Sequence, residues 1–379
     1  MRGIRRHLHQ NPELSEEEFQ TAEYICRKLD EFGIQYARGI GGNGIVGIIE
    51  GKNPSKKNIA LRADMDALPV IEANEVEYKS KVKGKMHACG HDVHMVCLLG
   101  AGKILNTLKD LFEGSVKLFF QPSEETYPGG AIKMIGDGAL TNPPTHSVIG
   151  QHVTNEFEAG KIGVRPGMYM ASTDEVFLTV RGKGGHAATP DQVIDPILIA
   201  AHILVAIQQI VSRNANPIVP TVVSFGKISG EGRTNVIPDE VRIEGTIRTF
   251  DETWRKKIHE KIAKLSSALA EGMGGTCETR ISHGYPALVN DENLSAKIKS
   301  WAIDYLGENN VLVLEKRMTA EDFAYFAQEV PSSFYRLGTR NEKAGRISNL
   351  HTSTFDVDES SIITGMGFMA YAAVRFLSE

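Results

Sequence analysis

Glu175-Val-Phe-Leu-Thr-Val-Arg181 is the stretch at which the rhythm of the chain changes. Its alternation of apolar and polar side chains spells a strand with one buried face. From there the pattern predicts a helix over Pro196–Val211 and strands over Thr221–Ile228 and Glu240–Thr249. A helix over Glu252–Gly272 and a last strand over Thr276–Ser282 complete the set. The order βαββαβ, finished in about a hundred residues, is the split-βαβ or ferredoxin-like arrangement.

A different pattern flanks this segment on both sides. Upstream, Glu13–Phe32 has helical spacing, with Phe19, Ala22, Ile25, Cys26 and Leu29 on one face and Gly33 past its end. Strands Gly44–Glu50 and Asn58–Arg62, helix Asp92–Leu108, strand Val116–Gln121, helix Ala131–Gly138 and strand Ser147–His152 follow. Downstream, helices Asn293–Tyr305 and Ala320–Gln328, strand Ser333–Leu337 and helix Ile362–Phe376 resume the alternation. Alternating strands and helices argue an α/β fold with a mixed, mostly parallel central sheet flanked by helices. The simplest architecture is one catalytic α/β domain built from residues 1–168 and 283–379, with an inserted ferredoxin-like α+β domain over 169–282.

The 379 residues exceed one comfortable hydrophobic core and suit two domains. A hydrophobic fraction of 41% and a net charge of -5 describe an ordinary globular chain and do not suggest nucleic acid or an anionic membrane surface as partner. The apolar stretch Ile194–Val211 is interrupted by Asp195, Pro196, His202, Gln208 and Gln209, which marks a buried helix and not a membrane span. The first residues hold no apolar run of signal-peptide length. Four cysteines (Cys26, Cys89, Cys97, Cys277) form no disulfide framework, and a cytoplasmic location is the expectation.

Chemistry concentrates at strand ends and loops, where open α/β sheets place their sites. Arg62-Ala-Asp64-Met-Asp66 follows a strand, and His87-Ala-Cys89-Gly-His91-Asp92-Val-His94 opens a helix. Glu124-Glu125 follows a strand, His152 ends one, and His351 lies in a polar loop. Each has a bland reading: a single histidine at a strand end is usually a hydrogen-bonder, paired glutamates a solvated turn, and a lone cysteine a small buried hydrophobe. Their recurrence at corresponding strand ends favours a metal site. Thiolate and imidazole ligands suit zinc or a neighbouring transition metal, and carboxylates also admit manganese. Side chains of adjacent glutamates diverge, so one can bind metal while the other serves as general base. That division suits metal-assisted hydrolysis, where a metal acidifies water and a carboxylate takes its proton.

Two rival motifs fail. Gly39-Ile-Gly41-Gly-Asn-Gly44 satisfies G-x-G-x-x-G, but a strand follows where a dinucleotide site needs a helix. Cys89 as a nucleophile beside a histidine would leave the acidic pair and the distant histidines without a task.

Six segments together resemble a known family: Leu-His9-Gln-Asn-Pro12-Glu13, Leu-Arg62-Ala-Asp64-Met-Asp66-Ala-Leu-Pro, Met-His87-Ala-Cys-Gly-His-Asp92, Gln-Pro-Ser-Glu124-Glu125, Gly184-Gly-His186-Ala and Asn235-Val-Ile-Pro-Asp239. They are similar to the aminoacylase, hippurate hydrolase and auxin-conjugate amidohydrolase branch of the dinuclear metallopeptidases. The likeness runs over nearly the whole chain. Its start falls some residues later than is usual in the family, so part of a first helix is expected to be absent or the start site to differ.

The resemblance implies two divalent ions per subunit (zinc, manganese, cobalt or nickel) on Cys89, His91, Glu125, His152 and His351, with Cys89 bridging. It implies Glu124 as the base and Asp66 as a support behind the ligands. His186 would donate to the carbonyl oxygen in the tetrahedral intermediate, reaching the partner subunit's site in a homodimer formed through the inserted domain. Asn235 and Arg248 would hold the substrate's α-carboxylate, a task that suits arginine's planar fork. Taken alone, His186 would be a surface turn residue and Arg248 an exposed strand residue.

The expected reaction is hydrolysis of an N-acyl amino acid to a carboxylate and a free amino acid. The alternative is a dipeptidase or carboxypeptidase with the same centre. A binding protein that has lost catalysis is opposed by the presence of every expected ligand and base.

Overall fold

The computed structural model describes residues 1–379, in two compact units. One comprises Met1–Gly167, Val289–Glu315 and Glu321–Glu379; the other comprises Met168–Leu288 and Lys316–Ala320. Lys316–Ala320, which sequence assigns to the catalytic part, groups with the second unit because Arg317 exchanges backbone hydrogen bonds with Tyr169 and Ala171.

The first unit holds an eight-stranded sheet. Its order is Gln35–Arg38, Ile45–Glu50, Ser115–Gln121, Asn58–Asp64, Ser147–Glu158, Ser332–Arg340, Ile162–Val164, Val311–Val313. The four middle strands, from Ser115–Gln121 to Ser332–Arg340, run parallel to one another. Every residue of Asn58–Asp64 and of Ser115–Gln121 is buried, as expected of parallel strands covered on both faces. The helix His91–Thr107 packs against Ser361–Leu377 and the first helix, Arg2–Gln10. The parallel register therefore gathers Asp64, at the carboxyl end of its strand, the Glu124-Glu125 turn that follows Gln121, and His152, midway along Ser147–Glu158, toward one end of the sheet.

The second unit has a four-stranded antiparallel sheet in the order Thr221–Ser229, Glu240–Thr249, Asp174–Arg181, Thr276–His283. With helices Pro196–Gln209 and Glu252–Gly272 this is the ferredoxin-like βαββαβ order. Both helices start on aspartate caps: Asp195 accepts from the N–H groups of Ile197 and Leu198, and Asp251 from that of Trp254. Ile199, Ile203 and Ile207 pack with Val176, Leu178, Val180 and Ile243.

Several boundaries differ from the sequence reading. The helix expected over Glu13–Phe32 begins only at Phe19. Glu13 instead accepts hydrogen bonds from the N–H groups of Gln20 and Thr21, and Phe19, off the Ile25–Leu29 stripe, is exposed. Periodicity does not mark the helix Arg2–Gln10, because its inward residues are Arg5, Leu8 and His9 and not an apolar stripe. His152 does not end its strand, which runs on to Glu158. The helix expected over Ala320–Gln328 forms at Ala324–Glu329, leaving Glu321 and Asp322 in a turn. The helix Pro196–Gln209 is not wholly buried: Ile197, Leu198 and Val205 are exposed.

Candidate metal centre

Cys89 sits immediately before the helix His91–Thr107, separated from His91 by Gly90 in the left-handed conformation at φ +82°. That turn swings the thiol and the His91 imidazole toward a common point. Cys89 Sγ lies 3.4 Å from His152 Nε2 and 3.3 Å from His351 Nε2. The Nδ1 of His152 lies 2.8 Å from the Val153 carbonyl, which fixes the proton on Nδ1 and leaves the Nε2 lone pair facing the thiol. His351 is exposed at φ +62°, and its N–H donates to the Ala88 carbonyl at 2.8 Å.

The acid pair enters from the turn after Ser115–Gln121. Ser123 has φ +55°, and its N–H donates to Glu18 Oε1 at 2.7 Å. The N–H of Glu125 donates to Asp66 Oδ2 at 2.9 Å. Glu125 Oε1 then stands 3.3 Å from His351 Nε2 and 3.9 Å from His91 Nε2. Glu124 Oε2 is 4.0 Å from His91 Nε2, and Asp66 Oδ1 is 3.3 Å from His91 Nδ1.

Cys89, His91 and His152 can thus converge on one ion, and Cys89, Glu125 and His351 on another. Only Cys89 belongs to both groups. The donor set fits a pair of divalent ions on a further ground: His91 Nε2 and Glu125 Oε1 are buried with no aligned hydrogen-bond partner. Groups so placed are costly unless something binds them. His94, by contrast, is engaged at both nitrogens, Nδ1 by Asp64 at 2.5 Å and Nε2 by the Val153 N–H at 2.9 Å. That leaves it a support for Asp64 and not a ligand. His87 is buried with neither ring nitrogen paired, and burial pushes it down to about 4.

Negative charge dominates the centre. Burial would lower His91, but Asp64 and Asp66 outweigh it and raise the imidazole to about 10. Burial, then Glu125 and Glu124, hold the Cys89 thiol well above its ordinary range. Burial, then Glu321 and Glu125, do the same to Glu124. Bound cations would reverse all three trends. The fixed counter-charge is Arg62, fully buried, whose Nη1 reaches Asp64 at 2.8 Å and whose Nη2 reaches Asp322 at 2.9 Å and Glu321 at 3.0 Å.

Glu321 and Asp322 are the members of this site that sequence reading missed. Glu321 shares a carboxylate cluster with Asp64 and Glu124. The available signal was an acidic pair directly before an apolar helix, a repeat of the Glu124-Glu125 pattern.

Comparison with known proteins agrees with this geometry. Residues 60–375 match the profile of Peptidase family M20/M25/M40. The chain belongs to that family. It is accordingly a metal-dependent hydrolase acting on amide bonds. Thermostable carboxypeptidase 2 of Saccharolobus solfataricus is 40% identical over 376 residues, 98% of this chain and 94% of that protein. The N-acetyl-L-cysteine deacetylase of Bacillus subtilis is 39% identical over 375 residues, 99% of this chain and 88% of that protein. Among solved structures, the Bacillus subtilis YXEP protein, a dinuclear metal binding peptidase from the M20 family, superposes with a TM-score of 0.86 at 31% identity, covering 99% of this chain and 97% of that one.

The remaining expected residues belong to the second unit. His186 and Asn235 adjoin on a two-stranded ribbon, where His186 pairs with Val236 and the Ala187 N–H donates to the Asn235 carbonyl. The Ala188 N–H donates to His186 Nδ1 at 3.0 Å, so the neutral ring carries its proton on Nε2. Arg248 is half-buried on Glu240–Thr249, and its Nε donates to Thr246 Oγ1 at 3.3 Å. Burial lowers its pKa from the ordinary value.

Proposed function

We propose that this protein hydrolyses the amide bond of N-acyl amino acids, with two divalent ions per subunit held by Cys89, His91, Glu125, His152 and His351. The observation that carries this reading is the sharing of Cys89 Sγ between two ligand groups, with the Glu124 carboxylate beside them. Zinc, manganese, cobalt and nickel all suit the mixture of thiolate, imidazole and carboxylate. When bound, such ions polarise the substrate carbonyl and acidify water.

The chain's own groups have separate tasks in this scheme. Glu124 accepts a proton from the attacking water and passes it to the leaving amine nitrogen. Asp66 orients His91 and the Glu125 backbone. His186 donates its Nε2 proton as a hydrogen bond to the developing oxyanion. Asn235 and Arg248 bind the substrate's α-carboxylate.

A homodimer through the second unit is part of the same proposal. Thr221–Ser229 is an edge strand with one side unpaired, and Ile197, Leu198 and Val205 lie exposed on the helix Pro196–Gln209. An open strand edge and exposed aliphatic side chains each favour pairing with a second copy.

The deacylase reading draws support from the N-acetyl-L-cysteine deacetylase likeness. A carboxypeptidase or dipeptidase reading is favoured by the likeness to the Saccharolobus solfataricus protein. The deciding experiment is a hydrolysis screen of acetyl-, benzoyl- and aminoacyl-substituted amino acids after loading with each metal in turn. Faster cleavage of acylated than of unblocked substrates is expected, and the reverse order would favour the peptidase.

A further inference from the structure

The scheme above leaves the first helix and the motif residue His9 without a task. Both belong to a buried charge cluster. The side chain of Arg5 is fully buried, with Nη2 donating to Asp356 Oδ1 at 3.3 Å and Nε forming an ion pair with Asp92 Oδ2 at 2.8 Å that is not aligned as a hydrogen bond. Its guanidinium lies over the Tyr78 ring at 4.7 Å. His9 braces the same carboxylate, with Nδ1 2.8 Å from Asp92 Oδ2 and Nε2 3.3 Å from Glu72 Oε1.

The two aspartates that Arg5 joins belong to different ligand-bearing segments. Asp92 follows His91, and its Oδ1 accepts the Val93 N–H at 3.0 Å in the first turn of that helix. Asp356 closes the loop that carries His351. Its Oδ2 accepts from the Tyr78 hydroxyl at 2.8 Å and lies 2.9 Å from Arg346 Nε. Asn155 Nδ2, on the strand of His152, donates to the carbonyls of Ser348 and Asp356 at 2.8 and 3.0 Å, the two ends of the same loop.

We propose that Arg5 is a positioning residue of the metal centre, fixing the spacing between the His91 helix and the His351 loop. The inference rests on the reading of Cys89, His91, Glu125, His152 and His351 as ligands. His351 is exposed on a loop with left-handed backbone, so its ring gains little orientation from packing. Ligand geometry tolerates errors of only about 0.2 Å. A guanidinium can reach two carboxylates at once through separate nitrogens, which a lysine ammonium does less well. A buried arginine also cannot slip from its partners without leaving an uncompensated charge.

The test compares full-length wild type with Arg5→Met, Arg5→Lys and Asp356→Asn. Arg6→Met is the control, because Arg6 lies on the same helix and shares Tyr78 and Glu359 with Arg5, but pairs with Glu359 and Glu77 and with neither Asp92 nor Asp356. Apoprotein of each is titrated with Zn2+ against a chelator, and the Co2+ form is read by visible absorption, with folding checked by circular dichroism. Wild type should bind two equivalents. Arg5→Met should weaken at least one of them by roughly tenfold or more and alter the Co2+ spectrum. Arg5→Lys should recover only part of the loss, and Arg6→Met should match wild type. A loss of thermal stability with unchanged metal affinity and spectrum in folded Arg5→Met overturns the proposal. If Arg5→Met does not fold, Asp356→Asn decides in its place, and wild-type affinity there overturns it equally. Wild type that binds no metal overturns the ligand reading itself, an outcome distinct from both.

Discussion

Gly90 lies so close to Val153 that a β-carbon on it would overlap Val153 Cγ2. Gly90 separates Cys89 from His91, and Val153 follows His152. This contact therefore sets how closely the Cys-Gly-His turn approaches the strand bearing a third candidate ligand. Gly90→Ala adds the clash to an unfavourable φ of +82° and should destabilise the fold by about 1–3 kcal/mol. Denaturant unfolding of the metal-free protein checks this, and a change within error of zero would show that the approach is not tight.

Glu124 is assigned the proton transfers. Glu124→Gln keeps the shape and removes the basic oxygen, so kcat should fall by about 10²–10⁴. Metal content should stay at the wild-type value, since Glu124 is not in the ligand set. Turnover near the wild-type rate would remove Glu124 from its role, and loss of metal would make it a ligand.

Asp174 gives the second unit an acid-sensitive anchor. Burial would raise its pKa, but hydrogen bonds from Arg255 and His259 pull it from 3.8 to about 2. Arg255 Nε donates to it at 2.8 Å, His259 Nε2 is 2.7 Å away, and the Gly284 N–H donates at 3.0 Å. A depressed folded-state pKa contributes stability above the unfolded value that is lost as pH falls through the folded one. Wild type should therefore lose stability between about pH 4 and pH 2. Asp174→Asn should be less stable at pH 7 and show a flatter dependence in that window, measured by denaturant midpoints at each pH.

Val205 is 75% exposed on the helix Pro196–Gln209, within the face proposed to meet a second copy. Val205→Lys should shift the protein from twice the chain mass to one chain mass in light scattering after size exclusion. A wild-type protein that is already monomeric would overturn the dimer.

Much of this fold is legible in sequence, because strand and helix periods are local. The βαββαβ segment has clear alternation and capping aspartates at positions 195 and 251. The candidate ligands stand out because cysteine, histidine and paired glutamates interrupt otherwise apolar strand ends. Other features are not local. Arg62 meets Asp322 across 260 positions of chain, a contact made by packing of the turn before Ala324–Glu329 and not by local spacing. The helix Arg2–Gln10 escapes a search for apolar stripes because the side it buries carries Arg5 and His9. Charges buried against distant charges look, in sequence, like charges on a surface.

In the proposed centre Cys89 serves both metal positions at once. Metal analysis of Cys89→Ser under chelator challenge tests it directly, beside wild type. Wild type should hold about two equivalents tightly, and the variant should hold both more weakly. Loss of one equivalent with the other unchanged, or retention of both, would contradict it.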